Sequence, residues 1–335
     1  MKQEIKYCTA ADGVRLAYAV TGTGEPPIMR TSHWFAHVEH DIQSPVYRHF
    51  LLDLSRHHRL LRYDARGIGL SQRDNVDISF EKFVDDLSVV ADAAKFDKFI
   101  LIGLSQGAAQ AIAYAARHPD RVSHLILFGG YARGGYQRND AAERQKVELA
   151  CALIRSGWGG NEESHRQFFT SQFIPDASKE LQHSLNEMQR VASTPEMAER
   201  FLLASTTVNV IDDLPRIKCP TLVLHSTRDT RVSFKFGQEI AAGISNAKLV
   251  PLDTGNHLIM QGEPAQRVMS DAIADFLGDH RARHLPGAAG LNERLESTAK
   301  TVEQHWFVKF VLIFAAVTGS LIFFWEVWKA WRGEH

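Results

Sequence analysis

Residues Phe99-Ile100-Leu101-Ile102-Gly103-Leu104-Ser105-Gln106-Gly107 run directly into Ala108-Ala109-Gln110-Ala111-Ile112-Ala113-Tyr114-Ala115-Ala116-Arg117. The apolar run at 99–102 has the length and side chains of a buried strand. The alanine-rich run behind it has those of a buried helix. Between them lies the pattern G-x-S-x-G, centred on Ser105, in a strand–turn–helix setting. A turn that tight strains the backbone of its central serine, and glycines two positions to either side leave room for neighbouring chain. The helix N-terminus behind Ser105 offers free N–H groups and a positive dipole end, suited to a developing oxyanion. With Gly and Ser each near ~7% of residues, the bare pattern arises by chance in about one chain in ten of this length. The strand before it and the helix after it are what give it weight.

Working outward, further strands are expected near 14–21, 27–31, 59–63, 124–128, 221–225 and 248–251. Several are unbroken Val/Ile/Leu runs, as parallel strands buried on both faces require. Helical patterns fall between them at 46–56, 80–94, 106–117, 234–244 and 264–277. This alternation predicts a mostly parallel sheet with helices on both faces. Residues 132–213 interrupt it: they are rich in helix formers, lack a good strand and are too long for a loop, so they read as a helical cap insertion.

A nucleophilic serine needs a base and an orienting acid. Asp229 stands just past the strand at 221–225, and His257 follows the next strand in Asp253-Thr254-Gly255-Asn256-His257. Alone, Asp229 is a loop carboxylate and His257 a surface histidine. In this order, each at a strand end, they form a candidate triad with Ser105. Asp253 is the second choice of acid, set too close in sequence to His257 to sit beneath it.

At this point the chain resembles the α/β-hydrolase superfamily over residues ~10–278, in which the triad follows the order Ser, Asp, His. Tyr63-Asp64-Ala65-Arg66-Gly67-Ile68-Gly69-Leu70-Ser71 matches that superfamily's Asp-x-Arg-Gly-x-Gly-x-Ser loop, a structural element. The segments 44–71, LILFGGYARG (125–134), LIRSGWGG (153–160), FTSQFIPDAS (169–178) and PTLVLHSTRDTRVSF (220–234) are similar to the hydrolase-like domain joined to bacterial nucleotide-cyclase or helix-turn-helix regulators. The resemblance implies an α/β-hydrolase fold with core segments 1–131 and 214–280. It also implies an oxyanion hole made from the backbone N–H groups of Gln106 and of a residue after the third strand. The superfamily has His-Gly there. Here the stretch reads Ile28-Met29-Arg30-Thr31-Ser32-His33-Trp34, which places His33 at the glycine and Trp34 as the donor. Arg30, His33 and Trp158 are expected around the substrate pocket. Arg30 has two readings, an anchor for an anionic substrate group or an arginine paired with a nearby carboxylate.

Composition narrows the partners. The 335 residues carry 38 basic and 39 acidic side chains, which gives no electrostatic reason to expect nucleic acid. Cys8, Cys151 and Cys219 are odd in number and widely spaced, so they read as reduced thiols. His33, His37 and His40 fall at near-helical spacing beside Glu39 and Asp41, but H-E-x-x-H is absent and no metal or cofactor is expected. Gly22-Thr23-Gly24 has no lysine and no following helix, so it reads as a turn. The N-terminus has no apolar core and is not read as a secretory signal.

The C-terminal region differs in kind. Residues 310–325 carry no charge, and 306–328, at ~1.5 Å per residue, is long enough to cross a ~30 Å hydrocarbon core. Trp306, Trp325 and Trp328 stand where interfacial aromatics belong. The stretch has no polar face, which disfavours a surface-lying helix. We therefore expect a linker at 281–305, one transmembrane helix at 306–328 and a short tail at 329–335, with the catalytic domain cytoplasmic. The function expected is that of a membrane-anchored serine hydrolase acting on a small carboxylic ester or related acyl compound. Thioesterase, lactonase, perhydrolase and C–C hydrolase chemistry would use the same three residues. The alternative is a ligand-sensing or interaction domain with weak or no turnover.

Overall fold

The computed structural model describes residues 3–160 and 163–279. An eight-stranded sheet forms its centre, with strands β1 (Glu4–Thr9), β2 (Arg15–Thr21), β3 (Ile28–Arg30), β4 (Leu60–Tyr63), β5 (Phe99–Leu104), β6 (Val122–Phe128), β7 (Thr221–Ser226) and β8 (Ala247–Leu252). Their spatial order is β1-β2-β4-β3-β5-β6-β7-β8. β2 pairs antiparallel with both β1 and β4, and every pairing from β4 through to β8 is parallel. All residues of β4, β5 and β7 are buried, so both faces of the sheet are covered there.

The helices are α1 (Val38–Asp41), α2 (Arg48–His57), α3 (Phe80–Ala93), α4 (Gly107–Arg117), α5 (Ala141–Gly157), α6 (Ser164–Phe173), α7 (Lys179–Ala192), α8 (Pro195–Thr206), α9 (Phe234–Gly243) and α10 (Pro264–Leu277). α4 is buried from Gly107 through Ala116, and its small side chains let it lie close on β5. The interval 132–213 holds α5 to α8 and short 3₁₀ turns, and no strand among its described residues. Three of its four helices start on sequence signals: Asp140 accepts from the N–H of Ala142, Ser178 from that of Leu181, and Thr194 from that of Met197 with Pro195 at the first helical position.

Two elements depart from expectation. β1 lies on the sheet edge with its residues exposed or half-exposed, and its Glu4 and Lys6 conceal a strand from any reading based on apolar runs. α1 is a single turn whose Asp41 is drawn inward. The compact unit ends at Gly278, which closes α10 at a positive φ of 73°. The expected linker and transmembrane helix lie outside the described residues. No described helix is long and apolar enough to cross a membrane.

Candidate active site

Ser105 sits between β5 and α4 with φ of 55°, in the left-handed region that a serine rarely enters. The flanking glycines are explained by contact. A Cβ on Gly107 would lie 2.1 Å from Thr31 Oγ1 and 3.0 Å from the carbonyl oxygen of Ser32, and one on Gly103 would lie 2.7 Å from Ala108 Cα. The turn is thus wedged against the end of β3 on one side and against its own helix on the other.

Asp229 follows β7, and its Oδ1 accepts from the backbone N–H groups of Arg231 (2.8 Å) and Val232 (2.9 Å). Its Oδ2 lies 2.6 Å from His257 Nδ1. Burial alone would raise this carboxyl's pKa, but His257 and the backbone donors outweigh it and hold the group below the usual carboxylate range. A carboxylate only accepts, so the Nδ1 of His257 carries the proton and its Nε2 is left to accept. Ser105 Oγ lies 2.9 Å from that Nε2. The three expected residues are therefore in hydrogen-bonded sequence, with the serine hydroxyl donating toward the ring.

The histidine loop is pinned from the insertion. The N–H groups of His257 and Leu258 both donate to the carbonyl of Phe173 at the end of α6 (2.8 and 3.1 Å). The Phe173 ring lies 5.5 Å from the imidazole. Asn256 accepts at its carbonyl from Ser226 Oγ (2.7 Å) and at Oδ1 from the N–H of Asp176 (3.0 Å). Asp253, the second choice of acid, is turned outward, 87% exposed, and pairs with Arg228.

Gln106 and Trp34 flank Ser105 at the base of a cavity of about 590 Å³ that also exposes His257 and His33. Neither backbone N–H of Trp34 or Gln106 hydrogen-bonds to another described residue, so both are free to serve an incoming oxygen. The Trp34 indole is fixed by donation to the carbonyl of Ala198 (2.9 Å). His33 is stacked on Tyr47 and receives the Arg30 guanidinium at Nε2 (3.4 Å). Burial and the neighbouring Arg30 push its pKa down to about 3, so the ring is neutral.

Two expected pocket residues are elsewhere. Arg30 is 1% exposed and paired with fully buried Asp41 at 2.5 Å. A guanidinium on an interior strand needs a carboxylate close by, and α1 supplies one before any substrate could. Trp158 is fully buried behind Trp34 and Phe169, with ring centroids 5.1 and 5.4 Å away, and forms core of the insertion instead of its cavity wall. Residues that sequence reasoning passed over, Arg231, Phe173 and Gln172, do line the cavity. The last two belong to FTSQFIPDAS, which was notable only as a resemblance.

The Asp64–Ser71 loop is structural in its contacts. Asp64 accepts from the N–H groups of Val38 and Leu70 (both 2.8 Å), and Arg66 binds Asp86 and Asp12 (2.7 and 2.6 Å). Ligand atoms of His37, Glu39 and His40 lie within 4.8 Å of one another and are where a metal ion would find donors. His33 is not among them.

Residues 39–264 match the family described as the alpha/beta hydrolase fold. The chain belongs to the α/β-hydrolase family. The AB hydrolase superfamily protein YisY of Bacillus subtilis is 30% identical over 212 residues, 59% of this chain and 74% of that one. The pyrrolizixenacetamide deacetylase of Xenorhabdus hominickii is 24% identical over 226 residues, 66% of this chain and 82% of the relative. Among solved α/β-hydrolase structures, an esterase from Exiguobacterium antarcticum superposes with a TM-score of 0.70 at 21% identity, over 82% of this chain and 99% of that one, a likeness of fold.

Proposed function

We propose that this α/β-hydrolase is a serine hydrolase that cleaves a carboxylic ester or related acyl compound. The observation that carries the reading is the continuous hydrogen-bonded line from Asp229 through His257 to Ser105. Ser105 Oγ attacks the acyl carbonyl while His257 Nε2 takes its proton, and the oxyanion is received by the N–H groups of Trp34 and Gln106. As the carbonyl re-forms, the leaving alkoxide departs with the proton from His257, leaving an acyl-enzyme. Water then gives a proton to His257 and its oxygen to the carbonyl, and the acid leaves as Ser105 recovers its hydrogen. Asp229 holds the tautomer that makes Nε2 a base. The hydrolase names of the relatives, an esterase and a deacetylase among them, support acyl chemistry.

The apolar stretch at 306–328 supports a membrane anchor, with the catalytic domain on the cytoplasmic side. Fluorophosphonate labelling of the full chain tests the reaction. We expect covalent modification at Ser105 that vanishes in Ser105→Ala. An unlabelled wild-type protein would overturn the enzyme in favour of a ligand-sensing domain. Protease protection of residues 329–335 in sealed vesicles tests the anchor.

A further inference from the structure

Arg231 follows the candidate acid by two residues, and the turn that fixes Asp229 also fixes this side chain's origin. Its guanidinium lies over the rings of Phe173 (5.2 Å) and Trp34 (5.7 Å), and Nη1 donates to Gln172 Oε1 (3.1 Å). No ion pair to a carboxylate holds it among the described residues. Arg30, Arg62, Arg66 and Arg166, which are buried more deeply, each have one. Withdrawal from water pushes the pKa of Arg231 downward, and the more distant Asp229 and Glu143 only partly offset it. The group is nonetheless on the cavity wall.

The surroundings add to this. Arg138, Lys146 and Lys235 also line the cavity, against two carboxylates beyond the triad's, Asp140 and Glu143. Glu143 is taken by Arg138 and Lys146, and Asp140 caps α5. The cavity therefore has cationic character, and at Arg231 the nearby Asp229 and Glu143 offset the charge only at a distance, without a direct ion pair among the described residues. The two rings beside Arg231 belong to the reacting centre itself: Phe173 lies against His257, and Trp34 carries the candidate oxyanion N–H. Arg231 and Ser105 line the same cavity, so an anion held at Arg231 shares it with the nucleophile.

We propose that Arg231 is the carboxylate-binding group of this cavity, and that the substrates of Ser105 are acyl compounds bearing a free carboxylate. A carboxylate suits a guanidinium through paired, charge-assisted hydrogen bonds. This deepens the hydrolase reading and rests on it.

The test compares kcat/KM for the mono-4-nitrophenyl ester of glutaric acid with that for 4-nitrophenyl pentanoate, in the full chain and in Arg231→Gln and Arg231→Lys. We expect the wild type to favour the anionic ester at least tenfold. Arg231→Gln should lower the anionic-to-neutral ratio about 30-fold or more, chiefly through KM, and Arg231→Lys should restore part of it. No anionic preference in the wild type, or equal losses on both esters, overturns the proposal. A binding arm is independent of turnover: glutarate should bind Ser105→Ala saturably by calorimetry and fail to bind Ser105→Ala/Arg231→Gln. If Ser105 resists fluorophosphonate but glutarate binds through Arg231, the hydrolase reading falls and the anion site stands. If labelling succeeds and glutarate does not bind, the reverse holds.

Discussion

The guanidinium of Arg30 and the carboxylate of Asp41 meet at 2.5 Å with both side chains sealed from water. The pair stands at the junction of β3 and α1, directly behind the cavity. Arg30 also donates to His33 Nε2, and a guanidinium cannot accept, so the remaining His33 proton is placed on Nδ1. A salt bridge with no access to substrate thereby fixes the protonation of a ring that faces it. Asp41 serves Arg62 as well (3.9 Å) and accepts from the N–H of His37 (3.2 Å).

Asp41→Asn should therefore cost about 3–5 kcal/mol, because it leaves two withdrawn guanidinium groups without their carboxylate. The joint replacement Arg30→Met with Asp41→Leu should cost less than Asp41→Asn alone, since it strands only Arg62 instead of both guanidinium groups. Urea unfolding of the three variants checks this. A joint variant less stable than Asp41→Asn would mean that the pair contributes net stability.

Asp229→Asn should lower kcat about 10³–10⁴-fold with little change in KM, because an amide in place of the carboxylate no longer enforces the Nδ1–H tautomer of His257. Asp253→Asn, at an exposed position paired with Arg228, should leave ester hydrolysis unchanged. Steady-state kinetics on the glutarate half-ester separate the two acids, and equal losses would assign Asp253 a part in the reaction.

The strands expected from the sequence were β2 to β8. Those buried throughout, β3, β4, β5 and β7, were the plainest because burial on both faces forces a continuous apolar run, while β8 was read from Leu249 and Val250 although it is partly exposed. β1 escaped because an edge strand keeps Glu4 and Lys6 in solvent. Ser105, Asp229 and His257 were legible because each stands at a strand's C-terminal end, where the topology makes them converge. Arg30 and Trp158 were placed in the pocket because sequence gives position along an element but not the side-chain partner. Asp41, eleven residues after Arg30, decides the first, and Phe169 and Trp34 enclose the second. Arg231 was invisible for the converse reason: its significance comes from Phe173 and Trp34, both distant in sequence.

Gly107→Ala should destabilise the fold by about 1–3 kcal/mol, since the new methyl would occupy the space of Thr31 Oγ1 at 2.1 Å. It should also slow fluorophosphonate labelling of Ser105 well beyond what lost stability explains at a temperature where the variant stays folded. The Gly107→Ala/Thr31→Ala pair, which removes the closest contact at Thr31 Oγ1, should recover part of both. Thermal unfolding and labelling rates measured on the same preparations provide the comparison, and a normal labelling rate in Gly107→Ala would show that the turn can move aside.

His33 titrates near 6.5 when unfolded, but in the native protein burial and Arg30 keep it neutral down to about pH 3. Between these values the unfolded chain binds a proton that the native chain refuses, so acid favours unfolding. Stability should fall as pH drops below ~6.5, with a limiting slope from this one group of about 1.4 kcal/mol per pH unit. His33→Gln keeps an acceptor for Arg30 and removes the titration. Its stability, measured by urea unfolding at about pH 6.5 and about pH 4.5, should therefore decline less steeply than that of the wild type. Buried His37 and His225, whose pKa values burial also lowers, remain in both proteins and cancel from the difference. Parallel declines would mean that native His33 accepts the proton, in which case the Arg30–Asp41 pair does not hold its tautomer.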